Sequence, residues 1–137
     1  MKCLTFYIFN RNGNNIYFCD FGGTYTASDD HLKLVRGLMS GLKSMCDKIC
    51  PGRSDLSYFT FNTVSYKVHY YETLTRLKFI LFTESSKVSL EEEMKFFHRI
   101  YVQFVLKNPC IAQDTYINSD IFQSSISEFI DQQISLK

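Results

Sequence analysis

The hydrophobic pattern is densest between Ser65 and Thr83, SYKVHYYETLTRLKFILFT, and the chain is organised around this stretch. Alternation places Tyr66, Val68 and Tyr70 on one face of a strand and Lys67, His69 and Tyr71 on the other. After the polar connection Glu72-Thr73-Leu74-Thr75-Arg76 a second strand begins, with Leu77, Phe79 and Leu81 opposed to Lys78, Ile80 and Phe82. Apolar residues on both faces of this second strand predict burial on both sides. Leu77–Phe82 is therefore expected at the centre of a sheet with helices on each face.

The flanking patterns supply the other elements. Cys3–Phe9 is dense in β-branched and aromatic residues and reads as a strand, Asn10-Arg11-Asn12-Gly13-Asn14 is rich in turn formers, and Ile16–Cys19 resumes as a strand. The turn calls for a left-handed glycine at Gly13. Ser28 is placed to cap a helix whose inward stripe is Leu32, Val35, Met39, Leu42, Cys46 and Ile49, stopped by Pro51-Gly52. Asp55–Phe61 is a further strand. Ser89 with Glu92 spells a capping box for a helix carrying Met94, Phe97, Tyr101, Phe104 and Val105 inward, ending at Lys107-Asn108-Pro109. Ser119 caps a last helix with Phe122, Ile126, Phe129 and Ile130 on one face. The order ββαβββαα defines a single α+β domain over residues 1–137. Its expected architecture is a five-stranded antiparallel sheet in the order 2-1-5-4-3, with one helix on one face and two on the other.

The first helix carries more apolar surface than one sheet would cover. Leu34, Leu38 and Met45 form a second stripe beside Gly37 and Gly41. Each glycine costs roughly 1 kcal/mol of helix stability relative to alanine. Close approach of another backbone would compensate, first from within the domain and second from a partner. Both expected sheet edges, Ile16–Cys19 and Leu56–Phe61, are apolar and lack the lysine or proline that usually guards an open edge. Leu34, Gly37, Leu38, Gly41 and Met45, together with Ile16, Tyr17 and Phe18, are accordingly the candidate partner-binding residues.

Composition narrows the function classes. A hydrophobic content of 45% with only two prolines and six glycines fits a chain able to build a core. Net charge is +1, and no basic run marks a nucleic-acid footprint. No apolar run is long enough to span a bilayer, and polar residues follow the first strand too soon for a signal peptide. Five cysteines without a CxxC pattern predict reduced thiols in a cytosolic protein, and the Cys46/Cys50 pair lacks further metal ligands nearby. Gly22-Gly23 is not followed by a phosphate-loop Gly-Lys-Ser/Thr. His31, His69 and His98 have no second ligand at helical spacing, and no nucleophile or metalloprotease motif occurs. The expectation is no catalytic residue, no metal and no cofactor. A proton-transfer cluster of Lys67, His69 and Tyr71 on one strand face is the residual enzyme or ligand-binding alternative.

Three words in the sequence carry a resemblance. Tyr7-Ile8-Phe9-Asn10-Arg11-Asn12-Gly13, Tyr66-Lys67-Val68-His69-Tyr70-Tyr71-Glu72-Thr73 and Tyr101-Val102 through Lys107-Asn108-Pro109 resemble, in this order, motifs of the small longin-like subunits of the TRAPP vesicle-tethering complex. The resemblance implies a longin (SNARE-like) fold and a structural, non-enzymatic subunit. It implies assembly with a second longin-like subunit and with subunits of a different α/β family. It further implies a share in nucleotide exchange on a Rab GTPase during endoplasmic-reticulum-to-Golgi transport, with cytoplasmic location and peripheral membrane association through the complex. SNARE longin domains precede a heptad helix and a membrane-attached tail, which is not expected here. Small adaptor-complex subunits share the fold and are the alternative, lacking the Tyr66–Thr73 type of hairpin.

Overall fold

In the computed structural model, residues 3–21, 29–49, 58–85, 87–107, 116–117 and 119–134 are described. Strands β1 (Cys3–Phe9), β2 (Asn15–Asp20), β3 (Tyr58–Asn62), β4 (Tyr66–Glu72) and β5 (Lys78–Glu84) form one antiparallel sheet in the order β2-β1-β5-β4-β3. The central strand is the doubly apolar one, beginning at Lys78 rather than Leu77. Cys3–Phe9 matches its sequence-derived bounds, and the residues preceding Tyr58 in the expected third strand lie outside the described set.

Helix α1 (Asp29–Ile49) covers one face. Val35 and Met39 pack there with Tyr7, Phe9, Val68, Tyr70 and Ile80. The other face carries α2 (Glu91–Tyr101) and α3 (Asp120–Phe129) over Phe6, Ile8, Phe79 and Leu81. Phe79 and Leu81 thus face one helical layer while Ile80 and Phe82 face the other, as period-two alternation requires. Buried aromatic rings lock the layers, with Phe6 4.8 Å from Phe97 and Tyr17 edge-on to Phe122 at 5.0 Å.

Local signals explain most boundaries. Gly13 adopts φ +84° in the β1–β2 turn, where its N–H donates to the Asn10 carbonyl at 3.0 Å. The Ser119 hydroxyl accepts the Phe122 N–H and caps α3. The Ser28 cap of α1 lies outside the described residues. Both α2 and α3 widen into π-helical turns, Val102–Leu106 and Ile130–Ile134.

The capping box on α2 does not form. The N-cap is Leu90, with no side-chain capping bond. Leu90 is drawn into the core and its N–H donates to the Tyr58 hydroxyl at 3.2 Å. Burial of Leu90 and the demand of Tyr58 outweigh the local motif.

Candidate interaction surface

Helix α1 is divided along its length. Its inward line, Val35 and Met39, is buried, with Leu32, Leu42 and Cys46 half-buried. To one side Arg36 donates to the Gly13 carbonyl at 3.1 Å, and Lys43 forms an ion pair with Glu72. These contacts tilt that flank towards the end of the sheet where β1 and β4 finish and β5 begins. The other flank, Leu34, Leu38, Met45 and Ile49, is 73%, 46%, 50% and 70% exposed. Steps of four, seven and four residues keep these side chains in one row, roughly 22 Å long at 1.5 Å per residue.

Gly37 and Gly41 lie beside this row, and a Cβ placed on either would meet no other element within 4 Å among the described residues. Close packing among the described residues therefore does not explain the glycines. They leave a shallow, open strip along the apolar flank. Ile49, expected on the inward stripe, instead extends the exposed row from Met45 by one turn.

Among the described residues α1 covers this face only in part. Phe18, Tyr66 and Phe82 pack on the α1-side core but remain half-buried, with Tyr66 and Phe82 stacked 5.7 Å apart. They emerge from the end of the sheet opposite to the Arg36–Lys43 flank, the end towards which Leu34, Leu38 and Met45 lean. The helix flank and the aromatic ledge lie on the same face of the sheet.

The two sheet edges differ. Among the described residues β3 pairs only with β4, and Thr60, Phe61 and Asn62 are exposed, Phe61 by 40%. This edge is open and carries no lysine or proline between Tyr58 and Asn62. The β2 edge is partly closed by the chain itself: the Ile117 N–H donates to the Ile16 carbonyl at 2.7 Å, and the Tyr116 hydroxyl reaches the Phe18 carbonyl at 3.5 Å. Ile16 and Tyr17 belong to the core, Tyr17 packing on Phe6 and Phe122. Of the three β2 candidates only Phe18 keeps surface on the α1 side. Ile16 and Tyr17 are corrected to interior residues.

The histidine on β4 is closed to chemistry. His69 is fully buried, with Nδ1 3.0 Å from the Tyr58 hydroxyl and Nε2 3.1 Å from the Thr83 hydroxyl. The Thr83 hydroxyl donates to the Glu84 carbonyl, so it accepts from Nε2–H, and Nδ1 accepts from Tyr58. Burial, aided by Lys67, lowers the His69 pKa to about 4 and keeps the ring neutral. Lys67 Nζ donates to the Val88 carbonyl at 2.8 Å, and Tyr71 turns its ring to Phe79 and His98. The Lys67–His69–Tyr71 set is thus dispersed into structural contacts. Among the described residues no three His, Cys, Asp or Glu side chains converge to hold a metal. Cys3, Cys19 and Cys46 are free thiols, and burial pushes that of Cys3 up to about 12; Cys50 lies outside the described residues. No helix among the described residues is long and apolar enough to cross a membrane.

An antiparallel five-stranded sheet in the order β2-β1-β5-β4-β3, between one helix and two, defines a longin-like α+β domain. The chain belongs to the Sybindin-like family, whose model matches residues 3–133. It is 31% identical to "Trafficking protein particle complex subunit 1" of Dictyostelium discoideum, the match covering 94% of each chain. It is 27% identical to the Rattus norvegicus protein of the same name, over 90% of this chain and 88% of the relative. "Transport protein particle subunit bet5" of Schizosaccharomyces pombe is 31% identical over 74% of this chain and 69% of its own length. Among solved structures, Myxococcus xanthus MglB shares the fold, with a TM-score of 0.52 and 10% identity over 69% of this chain and 76% of MglB.

Proposed function

We propose that this chain is a structural subunit of a TRAPP-type vesicle-tethering complex, contributing surface rather than chemistry. The observation that carries this reading is the exposed row Leu34, Leu38, Met45 and Ile49, beside two glycines that no other element approaches among the described residues. Such a row on a lone domain is an aggregation liability unless covered. The relatives are named as subunits of a particle, which supplies the class of partner that would cover it.

On this reading the α1 flank and the aromatic ledge of Phe18, Tyr66 and Phe82 receive one neighbouring subunit, and the open β3 edge is available to another. The neighbours are a second longin-like subunit and a subunit of a different α/β family. The assembly promotes nucleotide exchange on a Rab GTPase and acts between endoplasmic reticulum and Golgi. The chain itself resides in the cytoplasm and reaches those membranes peripherally through the complex. An interface of standard size buries about 800 Å² per partner.

The test is to tag the chain in its own cells, purify it under gentle conditions and identify what elutes with it on a sizing column. The reading expects stoichiometric co-elution with TRAPP-type subunits, and Rab nucleotide exchange in that fraction that is lost when the chain is depleted. Elution alone as a stable monomer, or with adaptor-complex subunits, would overturn it.

A further inference from the structure

The chain's net charge of +1 hides a separation of charge. Asp20 and Glu84 close β2 and β5 at one end of the sheet, and Glu91, Glu92 and Glu93 open α2 a few residues beyond Glu84. The other end, where the β1–β2 and β4–β5 turns meet, is cationic. Arg11 and Thr75 line one cavity between the two turns, which makes the turns neighbours. Lys33 and Arg36 border the β1–β2 turn from α1, and Arg76 and Lys78 lead into β5. Lys43 is neutralised by its ion pair with Glu72. Arg11, Lys33, Arg36, Arg76 and Lys78 form no ion pair among the described residues. Lys78 is half-buried among like charges: burial first, then Arg36 and Arg76, lower its pKa. Such crowding is self-repulsive until an external anion meets it.

The β4–β5 turn carries an apolar tip at this same end. Leu74 is fully exposed. The turn beneath it is held by the Arg76 N–H on the Thr73 carbonyl at 2.9 Å, the Thr73 N–H on the Leu77 carbonyl at 2.9 Å, and the Leu77 N–H on the Thr73 hydroxyl at 3.1 Å. Leu74 is thus presented on a well-tied hairpin. Arg76 takes φ 65°, a conformation that glycine or asparagine adopts at less cost. Turn chemistry favours a small polar residue at the tip and glycine at the left-handed position. Leucine and arginine there work against local stability, which calls for a use outside the chain. Leu106, 47% exposed, lines the cavity between the two turns.

Protein interfaces gather apolar side chains into a core and are depleted of lysine. Here two leucines stand apart among cations drawn from two turns and a helix. That arrangement suits a surface of continuous negative potential into which a short apolar side chain can dip. We propose that this end of the domain docks directly on an anionic bilayer, with Leu74 entering the headgroup layer and Arg11, Lys33, Arg36, Arg76 and Lys78 meeting the lipid charges. The contact is shallow and salt-sensitive, and it adds to any attachment through the complex.

The chain contains no tryptophan, so Leu74→Trp places a single reporter at the tip. The 137-residue chain is mixed with vesicles of phosphatidylcholine, alone or with about 30% phosphatidylserine, at ~0.1 M salt. Co-sedimentation with the phosphatidylserine vesicles is expected to exceed that with phosphatidylcholine at least tenfold, and to be lost at ~0.5 M salt. Emission of Leu74→Trp is expected to move to shorter wavelength with the anionic vesicles alone. Arg76→Gly removes a cation while relieving the backbone, so binding is expected to fall about fivefold while the melting temperature holds or rises. Leu74→Ser is expected to weaken binding with unchanged melting. Lys95→Gln makes the same change in net charge on α2, where Lys95 is already paired with Glu91, and is expected to bind as the parent does. Absence of binding to anionic vesicles, indifference to Leu74→Ser and Arg76→Gly, or an equal loss in Lys95→Gln would each overturn the proposal. So would tighter binding of polyglutamate than of the vesicles, which would assign this end to an acidic protein partner. The measurement uses the chain alone, so its failure leaves the subunit reading standing.

Discussion

The Tyr58 hydroxyl lies 3.0 Å from Nδ1 of His69, and through it the edge strand β3 is tied to the interior of β4. The same hydroxyl accepts the Leu90 N–H, so the start of α2 hangs on this bond as well. The network is satisfied only while His69 is neutral, because a protonated ring has no lone pair for Tyr58.

A pH dependence follows. The folded pKa, lowered to about 4, lies below the ordinary value of 6.5, so the unfolded chain binds the proton first. The stabilisation is complete above pH 6.5 and is lost as pH falls from there towards 4. The scale is roughly 3 kcal/mol at about 1.36 kcal/mol per pH unit. Urea unfolding between pH 4 and pH 8 should show this slope, and His69→Gln should flatten it. An unchanged slope in His69→Gln would assign the effect elsewhere.

Gly13 couples the β1–β2 turn to α1. Its φ of +84° disfavours any L side chain, and an added Cβ would lie 2.9 Å from Cδ and Nη1 of Arg36. Gly13→Val is expected to lower stability by ~2 kcal/mol or more by thermal unfolding. Gly13→Val with Arg36→Ala should recover only part of the loss, since the clash is relieved and the backbone strain is not.

The two α1 glycines should behave in the opposite way. Among the described residues no other element lies within 4 Å of a Cβ at Gly37 or Gly41, so alanine at either is expected to stabilise the isolated chain by roughly 1 kcal/mol through helix propensity. Gly41→Leu should also fold, while weakening co-purification with partner subunits. Differential scanning calorimetry and the sizing column together check both halves.

Core truncation gives the contrasting scale. Phe97 is fully buried, close to Phe6 and Phe129. Phe97→Ala should cost about 3–5 kcal/mol in chemical denaturation. Leu38→Ala, on the open flank, should change the isolated chain by less than about 0.5 kcal/mol.

Strand order and layer assignment were legible because they follow from period-two alternation and a doubly apolar strand, which are properties of short windows. The features that departed from expectation are tertiary. Ser89 spells a local cap, but Leu90 is pulled inward and its N–H bonds to the Tyr58 hydroxyl. Ile16 and Tyr17 read as an open edge, but Ile117, a hundred positions away, bonds to that edge. Arg76 takes φ 65° in the β4–β5 turn without glycine or asparagine to announce it. The α1 flank was legible as excess apolar surface, but only the geometry shows that Leu34, Leu38, Met45 and Ile49 stay exposed among the described residues. Ile49 was assigned inward because the three-to-four periodicity continues to the last residue whether or not the sheet lies beneath it.

The central claim is that the α1 flank is the surface by which this chain joins a larger assembly. The most direct measurement is Leu38→Asp, followed in parallel by the melting temperature of the isolated chain and by recovery of the chain in the purified complex. Leu38 is 46% exposed, so a solvated carboxylate there should leave melting within about 2 °C of the parent. Recovery in the complex should fall at least tenfold. Full recovery with unchanged melting would make the flank idle surface, and collapse of the isolated chain would make Leu38 ordinary core; either result would contradict the account.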